Sequence, residues 1–337
     1  MLVAPVCVVS MVLMLPASAV IVAGANGGAG TTTNTTAEQL NAALGTTFAN
    51  FGNVIKYSDS SGIYLGYNPS NMEVWVLSAR HVTPTVANST LTIEGISLVQ
   101  QGSQQIVAGA DLALIKYQNA FNLVPSLPSI SLASAAPSLN QQIVMIGWGV
   151  DRVQGPSTGP NTSDAVAVTG GTGAGYTWRA NSDANRFLRW GTNNVDSGVY
   201  TDGSGASTTQ GWKADFDSPA SGQWQTSNEA TAALRDSGSG AFALNGGVWQ
   251  LVGSASGTFA NGAESPFTSE ADFQGTFYTD IGTFNSAITA TIGATLVPEA
   301  STACLVLLGG MGLLAVRRVA SQRAWSPAEC AVLRLGK

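Results

Sequence analysis

The stretch EVWVLSARHVT, Glu73 to Thr83, joins a short apolar run to the one histidine of the chain. Trp75, Val76 and Leu77 belong to residue types that favour strands, so the stretch predicts a strand that ends just before His81. A lone histidine is by default a surface residue or a satisfied core residue, and this stretch alone assigns it no role. The stretch therefore points first to a β fold.

Short apolar runs separated by turn residues continue on both sides of this stretch. Before a proline-rich break the runs are NVIKYS, GIYLGY, TLTIEGISLV and ADLALIKY, and after it they are QQIVMIGWGV, NRFLRWGTN, GGVWQLVGSASG and GTFYTDI. This spacing predicts an all-β sandwich or barrel. The break, from Pro125 to Pro137, divides the runs into two halves, at about residues 45–125 and 138–292.

A helix is predicted after the last strand. The segment TDIGTFNSAITATIG carries Ile281, Phe284, Ile288 and Ile292 at helical spacing. The sequence therefore predicts an all-β fold of two halves that is closed by a short C-terminal helix.

The composition excludes several classes of function. Charged residues make up 10% of the 337 residues and the formal net charge is −6, which does not suit a nucleic-acid binder. Cys7, Cys304 and Cys330 all lie near the two ends, so the body is expected to fold without disulfides. One histidine and no cysteine in the body provide no zinc ligand set, and neither a metal nor a cofactor is expected.

The N-terminal segment has the pattern of an export signal. Residues 1–19 are an apolar run that ends in Ala17-Ser18-Ala19, the small residues that signal peptidase accepts. A buried strand or helix is the alternative interpretation of this run. Residues 20–44, rich in Gly, Thr and Asn, lack clear periodicity and are predicted to be a flexible lead-in.

The C-terminal segment has a different character from the body. Within residues 297–318, Pro298 and Glu299 precede an apolar run from Ala303 to Val316, and two arginines follow it. The run is shorter than the roughly 20 residues that span a bilayer comfortably, and its arginines favour a cytoplasmic stop. A buried core helix is the alternative. Residues 319–337 form a basic tail.

A serine nucleophile requires a base, and the base that usually serves is an imidazole. ALRDSGSGAF, Ala233 to Phe242, contains Ser237 directly after an aspartate, and His81 is the one imidazole available. Asp111 heads the apolar run of ADLALIKY, an unusual place for a charge unless it is paired, although a turn residue would also fit. Two similar strings, Asp59-Ser60-Ser61-Gly62 and Asp196-Ser197-Gly198, are interpreted as turns.

These motifs together resemble the trypsin/chymotrypsin family of serine proteases. WVLSARHV resembles its histidine motif, ADLALIKY its aspartate motif and RDSGSGAF its serine motif, in the order His, Asp, Ser that this family uses. The resemblance covers roughly residues 45–292. It implies two antiparallel six-stranded β-barrels, with Ser237 as nucleophile, His81 as general base and acid, and Asp111 as the carboxylate that orients the imidazole.

The resemblance also implies an oxyanion hole and a substrate pocket. The hole would use the backbone N–H groups of Arg235 and Ser237, although the family normally has glycine at the first of these positions. Thr231 would form the floor of the pocket, and Ser256 to Thr258, which include Gly257, would form one wall. Because no carboxylate lies at this floor, a small or apolar P1 side chain is expected rather than Lys or Arg.

The partner of Asp236 is left open by the sequence. In many members of the family a freed N-terminus pairs with the aspartate before the nucleophile, and the segment Val20 to Gly24, VIVAG, is similar to such an N-terminus. Some sixty residues separate it from His81, however. Arg80, Lys213 or another cation are the alternatives.

The C-terminal segment resembles a PEP-CTERM sorting signal. This resemblance implies an exosortase-type enzyme and the membrane as partners, and a location at the cell surface or outside the cell. The sequence thus predicts an exported serine endopeptidase that acts on protein or peptide substrates through an acyl-enzyme. The alternatives are a catalytically impaired homologue that acts as a surface binding protein, and an unrelated β-sandwich with chance motifs.

Overall fold

A computed structural model describes residues 20–22, 34–83, 89–150, 175–176, 182–202, 208–216, 226–259, 267–268 and 275–293. All of these residues belong to one compact unit. The predicted signal peptide, sorting signal and basic tail lie outside the described residues. Among those that are described, no helix is both long and apolar enough to cross a membrane.

The first sheet is built almost entirely from strands that the apolar runs predict. Its order is β2-β3-β4-β8-β6-β5, with β7 paired to β8, and all its ladders are antiparallel. The strands are β2 Val54–Tyr57, β3 Ser60–Asn68, β4 Glu73–Ser78, β5 Thr90–Ile93, β6 Ile96–Gln100, β7 Gln105–Ile106 and β8 Ala113–Gln118.

The second sheet has the order β12-β10-β16-β17-β19-β14-β13, and β9 pairs with β17 in parallel. Its strands are β9 Ser131–Leu132, β10 Gln142–Gly147, β12 Arg189–Asn194, β13 Tyr200–Asp202, β14 Thr209–Asp215, β16 Gly240–Asn245, β17 Val248–Phe259 and β19 Gly275–Asp280. Two short sheets pair β1 Ile21–Val22 with β15 Ala230–Thr231, and β11 Gly175–Tyr176 with β18 Phe267–Thr268.

The central strands are buried on both faces, which explains why their sequences read as continuous apolar runs. Along β4, Trp75 and Leu77 enter one apolar cluster, and Val74 and Val76 enter another on the opposite face. The cluster of Trp75 and Leu77 also contains Phe242 of β16, together with other side chains of both sheets. The two sheets therefore share one core.

Helix α2, Ile281–Ile292, closes the second half as the spacing predicts. Its four apolar residues, Ile281, Phe284, Ile288 and Ile292, are all buried in the shared core. The helix begins after Asp280, whose carboxylate accepts hydrogen bonds from the backbone N–H groups of Gly282 and Thr283. The all-β prediction with two antiparallel halves and a closing helix is confirmed. Within the described ranges the first sheet has seven strands and the second has eight, where six were predicted for each half.

The prediction of a flexible lead-in over residues 20–44 is wrong at its start, which forms a short strand, and at its end, which forms a helix. Helix α1, Ala37–Leu44, buries Leu40 fully in the shared core. Its signals are a capping box between Thr36 and Gln39 and a left-handed Gly45 at the C-terminus. Residues 21–22 form β1. Residues 23–33 lie outside the described residues.

We expect Leu40→Ala to reduce the free energy of unfolding by about 2–5 kcal/mol, because it leaves a cavity under α1. Glu38→Ala, an exposed change on the same helix, is the control and should alter that free energy by less than about 0.5 kcal/mol. Urea unfolding of both variants measures the difference. Equal, small effects would show that α1 adds nothing to the stability of the core.

Candidate active site

His81 and Asp111 come together at the ends of two neighbouring strands. His81 lies in a single 3-10 turn, Arg80–Val82, just after β4, and Asp111 lies two residues before β8. Because β4 and β8 pair with Ser78 opposite Ala113, both residues emerge at the same edge of the sheet. The Nδ1 atom of His81 is 2.7 Å from Oδ2 of Asp111, and its backbone N–H donates to Oδ1 at 3.1 Å.

The Asp111 carboxylate is buried and fully engaged. Its side chain is 6% exposed, and the hydroxyl of Ser256 also donates to its Oδ2, at 2.5 Å. Three donors thus surround one buried carboxylate and hold it in one orientation. With the Nδ1 proton directed at this anion, Nε2 of the neutral imidazole is left as a hydrogen-bond acceptor.

Ser237 lies on the other side of the imidazole, in the turn between β15 and β16. Its Oγ is 2.9 Å from Nε2 of His81. The sequence interval between the two is 156 residues, so the contact exists only because the two halves pack together. The structure thus brings all three residues of the predicted nucleophile, base and carboxylate into one hydrogen-bonded chain.

The turn that carries Ser237 is held from its carbonyl side by β3. The backbone carbonyl of Ser237 accepts from the Ser60 hydroxyl at 2.6 Å and from the Ser61 N–H at 3.0 Å. The Arg235 carbonyl accepts from the hydroxyls of Ser60 and Ser61, at 3.1 and 3.3 Å. Gly238 packs so closely on β3 that a Cβ there would overlap the Ser61 carbonyl, and its φ of 83° also requires glycine.

The N–H groups of Arg235 and Ser237 take no part in these contacts. Neither N–H donates to an acceptor among the described residues. Arg235 adopts a φ of 72°, the left-handed region that non-glycine residues rarely occupy. Two unused donors beside Ser237 are the arrangement that stabilises an anionic oxygen.

Asp236 is completely buried beneath the turn. Gly147 and Gly149 leave the space for its carboxyl group, since a Cβ at either position would overlap it. Its Oδ2 accepts from the N–H of Ala233 at 2.7 Å, whereas Oδ1 has no hydrogen bond of normal geometry among the described residues. Burial raises the pKa of Asp236 to about 7, against the opposing effects of the Ala233 and Gly149 amides, the Arg186 charge and the Val20 amide.

Two of the candidate partners act on Asp236, namely a cation, Arg186, and the segment that begins at Val20. Val20 is buried, and its backbone amide is one of the groups that lower the pKa of Asp236. Residues 21 and 22 continue from it as β1, paired to Thr231 and Ala230. Arg80 is exposed, and Lys213 lies over the ring of Tyr200, 5.2 Å from its centre.

The predicted pocket residues lie on β15 and β17, and Thr276 connects these two strands. The Thr231 hydroxyl is fully buried and is 3.1 Å from that of Thr276, and Thr276 is the cross-strand partner of Thr258. Ser256 and Gly257 are partly exposed beside a bulge in β17. The Ser256 hydroxyl bonds Asp111, so this side chain contacts the carboxylate rather than an open pocket.

Sequence reasoning missed the roles of Ser60 and Ser61. The string Asp59-Ser60-Ser61-Gly62 was interpreted as a turn, but these serines begin β3 and bind the carbonyls of the Ser237 turn. No local signal identifies them, since the contact joins residues 177 apart in sequence. In Asp196-Ser197-Gly198, by contrast, both polar side chains accept from the backbone of β14 and lie apart from the site.

The fold is similar to several solved structures of proteases. One is neuropsin, a serine protease of mouse brain, with 17% identity, a TM-score of 0.43 and coverage of 71% of this chain and 92% of that one. Another is the Rv3671c protease of M. tuberculosis in its inactive form, with 14% identity, a TM-score of 0.43 and coverage of 77% and 96%. No protein-family model and no curated protein matches the chain.

The raised pKa of Asp236 predicts a specific pH dependence of stability. A carboxyl group that keeps its proton to about pH 7 when folded, but loses it near pH 4 when unfolded, makes the folded state less stable as pH rises between these values. In a chain that retains the residues before Val20, Asp236→Asn should therefore stabilise at pH 8 and have little effect at pH 4.

Thermal unfolding of that variant and of the wild type at the two pH values measures this difference. Ser239→Ala, a neighbouring buried change that removes no carboxyl group, is the control and should show no such dependence on pH. A loss of stability in Asp236→Asn that is the same at pH 4 and pH 8 would contradict a raised pKa of Asp236.

Proposed function

We propose that this chain is a serine endopeptidase that hydrolyses peptide bonds of protein or peptide substrates. One observation carries the proposal: the hydrogen-bonded chain from the buried Asp111 carboxylate through His81 to the Ser237 hydroxyl, at 2.7 and 2.9 Å. A serine hydroxyl becomes a useful nucleophile when a correctly oriented imidazole accepts its proton. The two free N–H donors beside Ser237 supply the second requirement of acyl transfer.

Acylation begins when Oγ of Ser237 attacks the carbonyl carbon of the scissile bond and its proton passes to Nε2 of His81. The carbonyl oxygen becomes an anion, which the N–H groups of Arg235 and Ser237 stabilise. Asp111 stabilises the imidazolium that forms. The tetrahedral intermediate then expels the amine, which takes the proton from Nε2, and an ester of Ser237 remains.

Deacylation repeats the same steps with water. A water molecule attacks the ester carbonyl as Nε2 of His81 accepts its proton. Collapse of the second tetrahedral intermediate releases the carboxylic acid, and the proton returns to Oγ of Ser237. The enzyme is thereby restored without a cofactor.

Specificity for a small or apolar P1 side chain is part of the proposal. Thr231, Thr276 and Thr258 contribute hydroxyl and methyl groups but no charge, which gives a Lys or Arg side chain no partner. Gly257 widens the wall on the β17 side, since nothing lies within 4 Å of the position its Cβ would take.

Export and activation are proposed to be linked at Val20. Cleavage after Ala19 by signal peptidase would leave an α-ammonium group at Val20, where the backbone already acts on the buried Asp236 carboxyl. A positive charge at this point favours the ionised form of the carboxyl and removes the cost of its burial. Location at the cell surface through the C-terminal segment remains part of this proposal.

A surface binding protein without catalytic activity is the second candidate, because an arginine occupies an oxyanion position. Its left-handed backbone requires support from neighbouring groups, and a failure of that support would displace one donor. The two candidates differ in whether Ser237 reacts.

We expect a fluorophosphonate probe to label the folded wild-type chain, because the probe reacts with serines that have an active base. Ser237→Ala should abolish labelling, and Asp111→Asn should reduce its rate by several orders of magnitude. Mass spectrometry of the labelled peptide locates the adduct. Ser239→Ala, two residues away, is the matched control and should label normally.

A folded wild type that remains unlabelled would favour the binding protein, and labelling that persists in Ser237→Ala would place the nucleophile elsewhere. The same wild-type preparation, profiled on a peptide library, should cleave after small or apolar residues. Preferential cleavage after Lys or Arg would contradict the proposed pocket.

The activation proposal predicts that the effect of Asp236→Asn on stability has opposite signs in chains that begin at Val20 and at Ala19. In a chain that begins at Val20 the variant should destabilise at pH 7, because an ammonium group loses its anion. In a chain that begins at Ala19 the same variant should stabilise. Thermal unfolding of wild type and Asp236→Asn, each beginning at Val20 or at Ala19, measures this difference. If the variant shifts stability in the same direction in both chains, the ammonium group at Val20 is excluded as the partner of Asp236.

A further inference from the structure

The backbone of Arg235 needs support that its own conformational preference does not provide. Its φ of 72° lies in a region that glycine adopts readily and that a long side chain disfavours. The residue nevertheless bears one of the two unused N–H donors beside Ser237. If its peptide relaxed to a more favourable conformation, that donor would turn away from the reacting carbonyl.

The guanidinium group of Arg235 is anchored some distance from its backbone. Its Nη1 donates to Oδ1 of Asp183 at 3.0 Å and lies 3.7 Å from Oδ1 of Asp59. The Arg235 side chain is 18% exposed, whereas the Asp183 and Asp59 side chains are 63% and 86% exposed, so a mostly buried guanidinium meets carboxylates at the surface. The side chain thus ends in a fixed position.

The Asp183 carboxylate is in turn fixed by two other cations. Lys56 lies 3.2 Å from its Oδ2 and Arg186 lies 3.3 Å from its Oδ1, and these contacts lower the pKa of Asp183. The Arg186 side chain is fully buried and donates to the backbone carbonyls of Trp148 and Ser58, at 3.0 and 2.9 Å. Asp183 is therefore an ionised anchor on a rigid support.

These contacts close into a ring at Ser60. The Ser60 carbonyl accepts from Nη2 of Arg186, and its hydroxyl donates to the Arg235 carbonyl at 3.1 Å. The ring runs from Ser60 through Arg186 and Asp183 to the Arg235 guanidinium, and returns through the Arg235 backbone. Ser60 thus binds the carbonyl of Arg235 and Asp183 binds its guanidinium, and Arg186 connects these two residues.

We propose that Arg235 is a positioning residue whose ion pair with Asp183 holds its left-handed backbone and thereby keeps the N–H groups of Arg235 and Ser237 aimed at the carbonyl oxygen of the substrate. This inference rests on the proposed function. It assigns the effect to the transition state, in which the oxygen is negatively charged, and not to binding of the neutral substrate.

The test compares steady-state kinetics of four variants with the wild type on one peptide substrate. Arg235→Gln keeps a long polar side chain but loses the ion pair, and should lower kcat by about 10- to 100-fold while KM changes by less than about threefold. Affinity for a peptidyl boronate, which mimics the tetrahedral intermediate, should fall in parallel. Arg235→Gly should lose less kcat than Arg235→Gln does, because glycine adopts this φ without an anchor.

The other two variants change the anchor and its surroundings. Asp183→Asn, on a residue that is 63% exposed and so unlike a core position, should lower kcat as Arg235→Gln does. A double variant that carries both Asp183→Asn and Arg235→Gln should have the same kcat as either single variant. Lys56→Gln removes one of the two other cations that contact Asp183 and leaves Arg186 in place, so it should lower kcat less than Asp183→Asn does.

A wild-type kcat in Arg235→Gln or in Asp183→Asn would overturn the inference and leave the proposed function standing. A loss in Arg235→Gly as large as in Arg235→Gln would also overturn it, since the side chain would then act on the substrate directly. A wild-type chain without turnover would instead contradict the proposed function, and the inference with it. Thermal unfolding of each variant confirms that it is folded.

Discussion

The candidate site depends on one contact, that of the buried Asp111 carboxylate with the one imidazole of the chain. The carboxylate accepts from the Nδ1 and backbone N–H groups of His81 and from the Ser256 hydroxyl. These charge-assisted hydrogen bonds hold the buried carboxylate and the imidazole ring in one relative orientation. Because this anion fixes the ring and its tautomer, Nε2 can accept from Ser237. Without it, the serine would lie beside a freely rotating imidazole.

The geometry of Ser237 requires a second set of contacts, which come from the first sheet. Ser60 and Ser61 bind the carbonyls of the Ser237 turn, Gly238 permits the close approach, and Asp236 fills the space beneath. Binding the carbonyls leaves the N–H groups on the opposite side free. Ser237 and the neighbouring N–H groups are therefore positioned by contacts between the halves of the fold, which explains why the candidate site forms at their junction.

The sequence was sufficient for the elements with strong local patterns. The two-sided apolar run of β4, the helical spacing of α2 and the polar residues at the ends of strands each carry a signal within a few residues. Contacts between distant segments have no such signal, and Ser60, Ser61 and the Asp183 anchor were missed for this reason. Helix α1 was missed although its capping box is visible in the sequence, because its single buried residue, Leu40, gives no periodicity.

The protonation of the two ring nitrogens of His81 is a direct measure of its contact with Asp111. Because the chain has one histidine, its imidazole signals in a nitrogen-15 NMR spectrum need no assignment by mutation. At a pH where the ring is neutral, we expect a protonated Nδ1 with a strongly downfield proton and an unprotonated Nε2. We expect Asp111→Asn to lose this pattern. A ring protonated at Nε2, or one whose proton exchanges between the two nitrogens as in a free imidazole, would contradict this expectation.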